Sequence, residues 1–134
     1  IGEESKFAII AVAVVYLVLI NTVAGVRNIE KIYLYVGKNY HASKLMMFTD
    51  IALPGALPMI LTGLKLGMGI ALLVIVAAEF VGAKSGIGYL IWNSWQTFQV
   101  ERMYVGLLVS AVLGIASAIL FNALERVLIP WKPR

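Results

Sequence analysis

Few residues in this chain could do covalent chemistry, and those few lack the neighbours that such chemistry needs. There is no cysteine, so a disulfide framework, a thiolate metal site and a cysteine nucleophile are excluded. His41 is the sole histidine, which removes most base–nucleophile and metal-ligand arrangements. Gly86-Ile87-Gly88 lacks the third glycine and the strand-to-helix setting of a dinucleotide fingerprint, no Walker A pattern occurs, and no carboxylates are paired for acid–base work. The sequence therefore predicts no enzyme and no bound metal. What remains is a pair of charges inside apolar runs, Lys65 and Glu79, and intramembrane ionisable groups are functional candidates by default. Lys65 lies about 10 Å along a helix from Pro58, so it either snorkels to the nearer surface or faces the interior of a bundle as part of a translocation path. Glu79, about 31 Å from Pro58, either lines the exit of such a path or caps the packing of the loop that follows.

The elements that would hold these charges are membrane helices. The chain is 61% hydrophobic and only 13% charged, whereas a soluble domain is about a quarter charged. Residues 7–26 form an uncharged run of about 20 residues, enough to cross a hydrocarbon core of roughly 30 Å. A second span is expected over 57–81, interrupted by Lys65 and reaching Glu79, and a third over 103–124. The first run is too long for a signal-peptide core of roughly 7–15 residues. The net charge of +4 is scattered among apolar runs, so topology explains it better than nucleic acid does.

Three spans place residues 27–54 and the C-terminus on one side, with the N-terminus and an outer loop, 82–102, on the other. The first side carries Arg27, Lys31, Lys38, Lys44, Arg126, Lys132 and Arg134, against Lys6, Lys84 and Arg102 opposite. The positive-inside tendency makes the loop and C-terminus cytoplasmic and the N-terminus external. Small residues recur at every fourth position in span two (Gly63, Gly67, Ala71) and span three (Gly106, Ser110, Gly114, Ala118). Such stripes let helices approach closely, although they also reflect how common small residues are in membrane helices. Gly86-Ile87-Gly88 reads as a bend. Tyr89, Trp92, Trp95 and Phe98 read as an aromatic belt at the outer interface, or else an external gate, with Trp131 as the inner counterpart.

Between the first two spans lies a polar segment with helical periodicity. Ile29, Ile32, Tyr33, Val36 and Tyr40 share one helical face. Ser43 suits the cap of a second, short helix carrying Leu45, Met46 and Phe48, which Asp50 and then Pro54 would end. An amphipathic helix of this kind inserts into a partner's groove, lies on lipid or packs within its own chain.

This segment, with its Ile51-Ala52-Leu53-Pro54 ending, resembles the cytoplasmic coupling loop, or EAA loop, of permease subunits of bacterial ABC importers, in particular the nitrate/sulfonate/taurine/bicarbonate group. The family pattern is Glu-Ala-Ala, three residues, Gly, nine residues, an apolar residue, one residue, Leu-Pro. Counted back without a gap from Ile51, Leu53 and Pro54, its Gly falls on His41 and its Glu-Ala-Ala on Tyr35, Val36 and Gly37. Ala42-Ser43 matches residues that often follow the Gly. Asn21 to Arg27, Leu57-Pro58, Thr62 to Lys65, Ala77-Ala78-Glu79, Gly86 to Tyr89 and Trp131 continue the likeness over nearly the whole chain. The departures have physical content: His41 must take a positive φ at a cost or use a different turn, and Tyr35 stands where a carboxylate would pair with a basic partner group. His41 itself reads most simply as a solvated turn residue.

The resemblance implies an all-α membrane protein with the type I importer permease fold, about three transmembrane helices and a helix-turn-helix coupling loop at 27–54. It implies the C-terminal half of a longer permease, consistent with a chain that opens on Ile1. The bacterial inner membrane, a second permease copy, a cytoplasmic ATPase carrying ATP and Mg, an extracytoplasmic binding protein and a small-anion substrate are implied as well. Loss of the Glu and Gly leaves open a membrane scaffold of the same fold that no longer couples to ATP.

Overall fold

In the computed structural model, residues 3–131 are described, and all their regular structure is helical. Ile1, Gly2, Lys132 and Arg134, which entered the charge and terminus readings, lie outside the described residues. The elements are α1 (Glu3–Arg27), α2 (Lys31–Asn39), α3 (Lys44–Met46), a π-helix (Met47–Ala52), α4 (Leu53–Gly82), α5 (Ile87–Gln96) and α6 (Val100–Leu128). Three helices are long and apolar enough to cross a membrane: Glu4–Arg27, Lys44–Gly82 and Val100–Leu128.

The main packing is between α1 and α4, which run antiparallel. Gly25 lies against Ala56 and Met59, Gly63 against Val18 and Asn21, and Gly67 against Val14. A β-carbon on Gly25 would stand 2.7 Å from Met59 Cβ, and one on Gly67 would stand 3.0 Å from Val14 Cγ1. Lipid offers helices no hydrophobic drive to associate, so this close approach supplies dispersion contacts that larger residues would prevent. The glycines of the stripes in spans two and three pack on different partners. Gly63 and Gly67 of span two face α1, whereas on α6 Gly106 packs on Ile91 of α5 and a β-carbon on Gly114 would meet nothing within 4 Å.

Several polar side chains within these helices bond to their own backbone. Asn21 Nδ2 donates to Leu17 O at 2.8 Å, Thr22 Oγ1 to Val18 O at 2.7 Å and Thr62 Oγ1 to Pro58 O at 2.9 Å. Hydrocarbon provides no water for such groups, so local satisfaction lets them remain.

Two expectations are corrected. Asp50 and Pro54 do not end a short helix; α3, the π-helix and α4 form one continuous helix, Lys44–Gly82. The physical reason lies in the register. Leu53 N–H reaches Phe48 O, five residues back, and Pro54 follows at the start of α4, where the bonding returns to four-residue spacing. A proline's missing N–H is tolerated where the ladder changes step. The 82–102 segment is also more than a loop, since it contains α5, which buries Gly88, Ile91 and Ser94. Trp92 stacks on Phe80 of α4 (centroids 5.7 Å apart, planes at 24°), while Trp95 and Phe98 stay exposed.

Candidate functional site

The segment joining α1 to α4 is a folded unit. Helix α2 ends in a Schellman motif: Ala42 N–H donates to Gly37 O and His41 N–H to Lys38 O, both at 3.0 Å, with His41 at φ 54°. This closure needs a left-handed residue, the conformation glycine adopts without strain. His41 thus takes the positive φ that its position in the loop pattern calls for, and its imidazole is exposed. Ala42 and Ser43 then reverse the chain. Ser43 Oγ accepts from Met46 N–H at 3.2 Å, the N-cap expected of that serine.

Gly37 is buried because α2 folds back on the π-helix. A side chain there would collide with Met47 Sδ and lie 2.7 Å from Ile51 Cδ1. Met47 and Ile51 therefore turn inward, and the neighbouring apolar residues turn outward. Leu45, Met46 and Phe48 are 71%, 53% and 58% exposed. Tyr35, Val36 and Leu53 are exposed as well. Trp131 lines a crevice with Ile29, Tyr33, Asp50, Ile51 and Pro54, so the end of the chain returns to the same unit.

The intramembrane charges sit in different surroundings. Glu79 Oε2 accepts the Gly88 backbone N–H at 2.6 Å, so its carboxylate occupies the N-terminus of α5. Gly86, at φ 126°, provides the turn that brings α5 back, and a β-carbon there or on Gly88 would strike the Glu79 side chain. A carboxylate at this point meets both an orphan N–H and the positive end of the helix dipole. Of the two readings of Glu79, this geometry favours the packing role. Lys65 Nζ donates to Asn122 Oδ1 of α6; it is turned to a neighbouring helix within the apolar layer.

Among the site residues singled out in the sequence, Gly37, Met46, Ser43 and His41 share one folded unit, whereas Lys65 and Glu79 lie apart from it and from each other. Three participants were missed. Met47 was hidden in an apolar run whose inward face the π-helix shifts. Gly88 acts through its backbone, which leaves no compositional signal. Asn122 had a signal, being the lone amide in the apolar run of α6.

Comparison with known proteins gives this arrangement its context. Residues 2–131 match the family described as binding-protein-dependent transport system inner membrane component. SsuC of Escherichia coli (strain K12), named for aliphatic sulfonates transport, is 33% identical over 99% of this chain and 51% of its own length. The taurine transport system permease protein TauC of the same strain is 32% identical over 98% of this chain and 48% of its own. The nitrate import permease protein NrtB of Synechocystis sp. (strain ATCC 27184 / PCC 6803 / Kazusa) is 30% identical over 96% and 47%. The chain spans about half the length of the curated relatives it matches. With a match over almost every residue and a helical membrane architecture to go with it, the chain belongs to the binding-protein-dependent transport system inner membrane component family.

Proposed function

We propose that this chain works as the permease part of an ATP-driven importer for a small anion such as a sulfonate, taurine, nitrate or bicarbonate, and that residues 31–52 are its coupling unit. The observation that carries the reading is the outward set Leu45, Met46 and Phe48 at the start of a helix, Lys44–Gly82, that continues unbroken as one long and apolar enough to cross a membrane. A groove on a cytoplasmic ATPase is the occupant that suits them, with each buried side chain contributing about 1.5–3 kcal/mol.

Continuity of the helix defines the mechanism. When ATP-driven closure moves the docked residues, Lys44–Gly82 carries the displacement along its axis, and the α1 glycine seam makes α1 follow. Two permease copies rocking in this way would expose the pathway alternately to each side, a rigid-body switch. The π-helix is the one irregular turn in the lever and the place for bending. ATP and Mg belong to the ATPase; this chain's own residues dock, transmit and line. The basic side, with the coupling unit and C-terminus, faces the cytoplasm. An external binding protein delivers substrate at the opposite end, where α5 lies.

Replacing Leu45, Met46 and Phe48 with Asp in the intact transporter tests the assignment. ATPase co-purification and anion uptake should both be lost, and survival of both would remove the coupling role. Tyr35, in place of a carboxylate, favours one second reading, a scaffold that has ceased to couple. In that case ATP turnover in the reconstituted complex would not respond to this subunit at all.

A further inference from the structure

We propose that Lys65 and Asn122 form a subsite for a small oxyanion where α4 meets α6, a proposal that rests on the importer reading above. Lys65 stands about 18 Å along the helix from Leu53, and Asn122 about 9 Å inside the end of α6 at Leu128. In sequence Lys65 lies between Leu64 and Leu66 and Asn122 between Phe121 and Ala123, with Glu125 and Arg126 one turn further along α6.

A lysine at this depth is costly to keep charged unless something compensates it, and such residues usually pair with an acid or reach the interface. Lys65 does neither. Its one partner among the described residues is the neutral Asn122 Oδ1, and no carboxylate bonds to it there. The other intramembrane charge, Glu79, is turned away onto the Gly88 N–H at the start of α5.

The chemistry of the pair then determines what it can bind. An ammonium has three N–H donors and no acceptor, and an amide has one oxygen and two N–H donors. The Lys65–Asn122 bond occupies one lone pair of the amide oxygen, so the groups left over are mostly donors: the remaining ammonium hydrogens and Asn122 Nδ2, which has no partner among the described residues. Asn122 is exposed and Lys65 half-buried, so a ligand can reach both side chains. A cation would be repelled there, and a neutral ligand would leave the charge uncompensated. A sulfonate, nitrate or bicarbonate group, with acceptor oxygens spread around one central atom, satisfies both donors and the charge. Asn122 thereby fixes the Lys65 head and adds a second contact.

The test uses the transporter assembled with its ATPase and binding protein in phosphatidylcholine vesicles. Labelled taurine, methanesulfonate, nitrate and bicarbonate are offered first to the wild type. The anion it imports is then followed in Lys65→Met, Lys65→Arg and Asn122→Leu, reading anions imported per ATP hydrolysed. Charged hydrogen bonds of this kind correspond to roughly a tenfold effect or more. Lys65→Met should therefore lower that ratio about tenfold or more, Asn122→Leu less, and Lys65→Arg should recover most of it. An unchanged ratio in Lys65→Met overturns the subsite while leaving the importer reading intact. A wild type that imports none of the four anions overturns the importer reading instead. A parallel set in vesicles containing phosphatidylglycerol separates a lipid phosphate from an anion in transit. If Lys65→Met abolishes only a phosphatidylglycerol dependence, the occupant is a headgroup and the transit subsite is wrong.

Discussion

Removing the Glu79 carboxylate should loosen α5 while leaving the α1–α4 pair in place. Gly88 is buried, and its N–H has the 2.6 Å bond to Glu79 Oε2 as its partner. In Glu79→Ala this donor is orphaned out of reach of water, and the dipole of α5 loses the charge beside it. A net hydrogen bond to a charged group contributes about 1.5–3 kcal/mol, equivalent to roughly a 10- to 150-fold change in the equilibrium for local opening. Glu79→Gln keeps an acceptor but loses the charge, so about half the effect is expected. Hydrogen exchange of the protein in lipid nanodiscs reads the opening directly, because exchange follows local unfolding. Peptides covering 86–96 should exchange faster by that factor in the alanine variant, while those covering 56–67 remain as in the wild type. Rates over 86–96 within about threefold of the wild type would refute the capping argument.

Further outcomes follow from the same contacts. Gly25→Val should destabilise the α1–α4 pair by about 1–3 kcal/mol through overpacking against Met59, read by denaturant titration in mixed micelles, whereas Gly114→Ala, with open space around it, should be nearly silent. His41→Gly relieves about 1–2 kcal/mol of left-handed strain and gives back part of it as chain entropy, so a neutral to slightly raised melting temperature is expected; a marked loss would show that the imidazole does more than complete the turn. Ser43→Ala should cost about 1 kcal/mol and appear as faster exchange at Met46. Gly86→Ala should be worse than either, since φ is 126° and the new methyl meets the Glu79 carboxylate.

The three long helices were legible because an uncharged run of about 20 residues has few other fates, and Ser43 was legible because a hydroxyl before an amphipathic run has a specific capping use. Pro54 misled because a proline ordinarily marks a boundary, and only the π register reveals that its missing donor falls at a change of step. Helix α5 was hidden by its short length and by aromatics that looked like a belt. Its buried positions Gly88, Ile91 and Ser94 are nevertheless spaced by three, a signal that two glycines obscured. The Glu79 bond to Gly88 joins a side chain to a backbone group across a turn, and no residue pattern encodes such a contact. Lys65 was visible as a charge out of place, but its direction depended on how α6 lies beside α4.

The central claim is that the outward face of the Lys44–Gly82 helix is what an ATPase holds. These 134 residues hold no cysteine, so one introduced at Phe48 adds the one thiol among them. In native membranes, a short thiol-reactive photocrosslinker at that position should capture the ATPase, with a yield that changes between nucleotide-free and ATP-bound conditions. The same probe at Val112, exposed on α6, should capture none. Capture of lipid alone at position 48, or equal ATPase capture from both positions, would contradict the account.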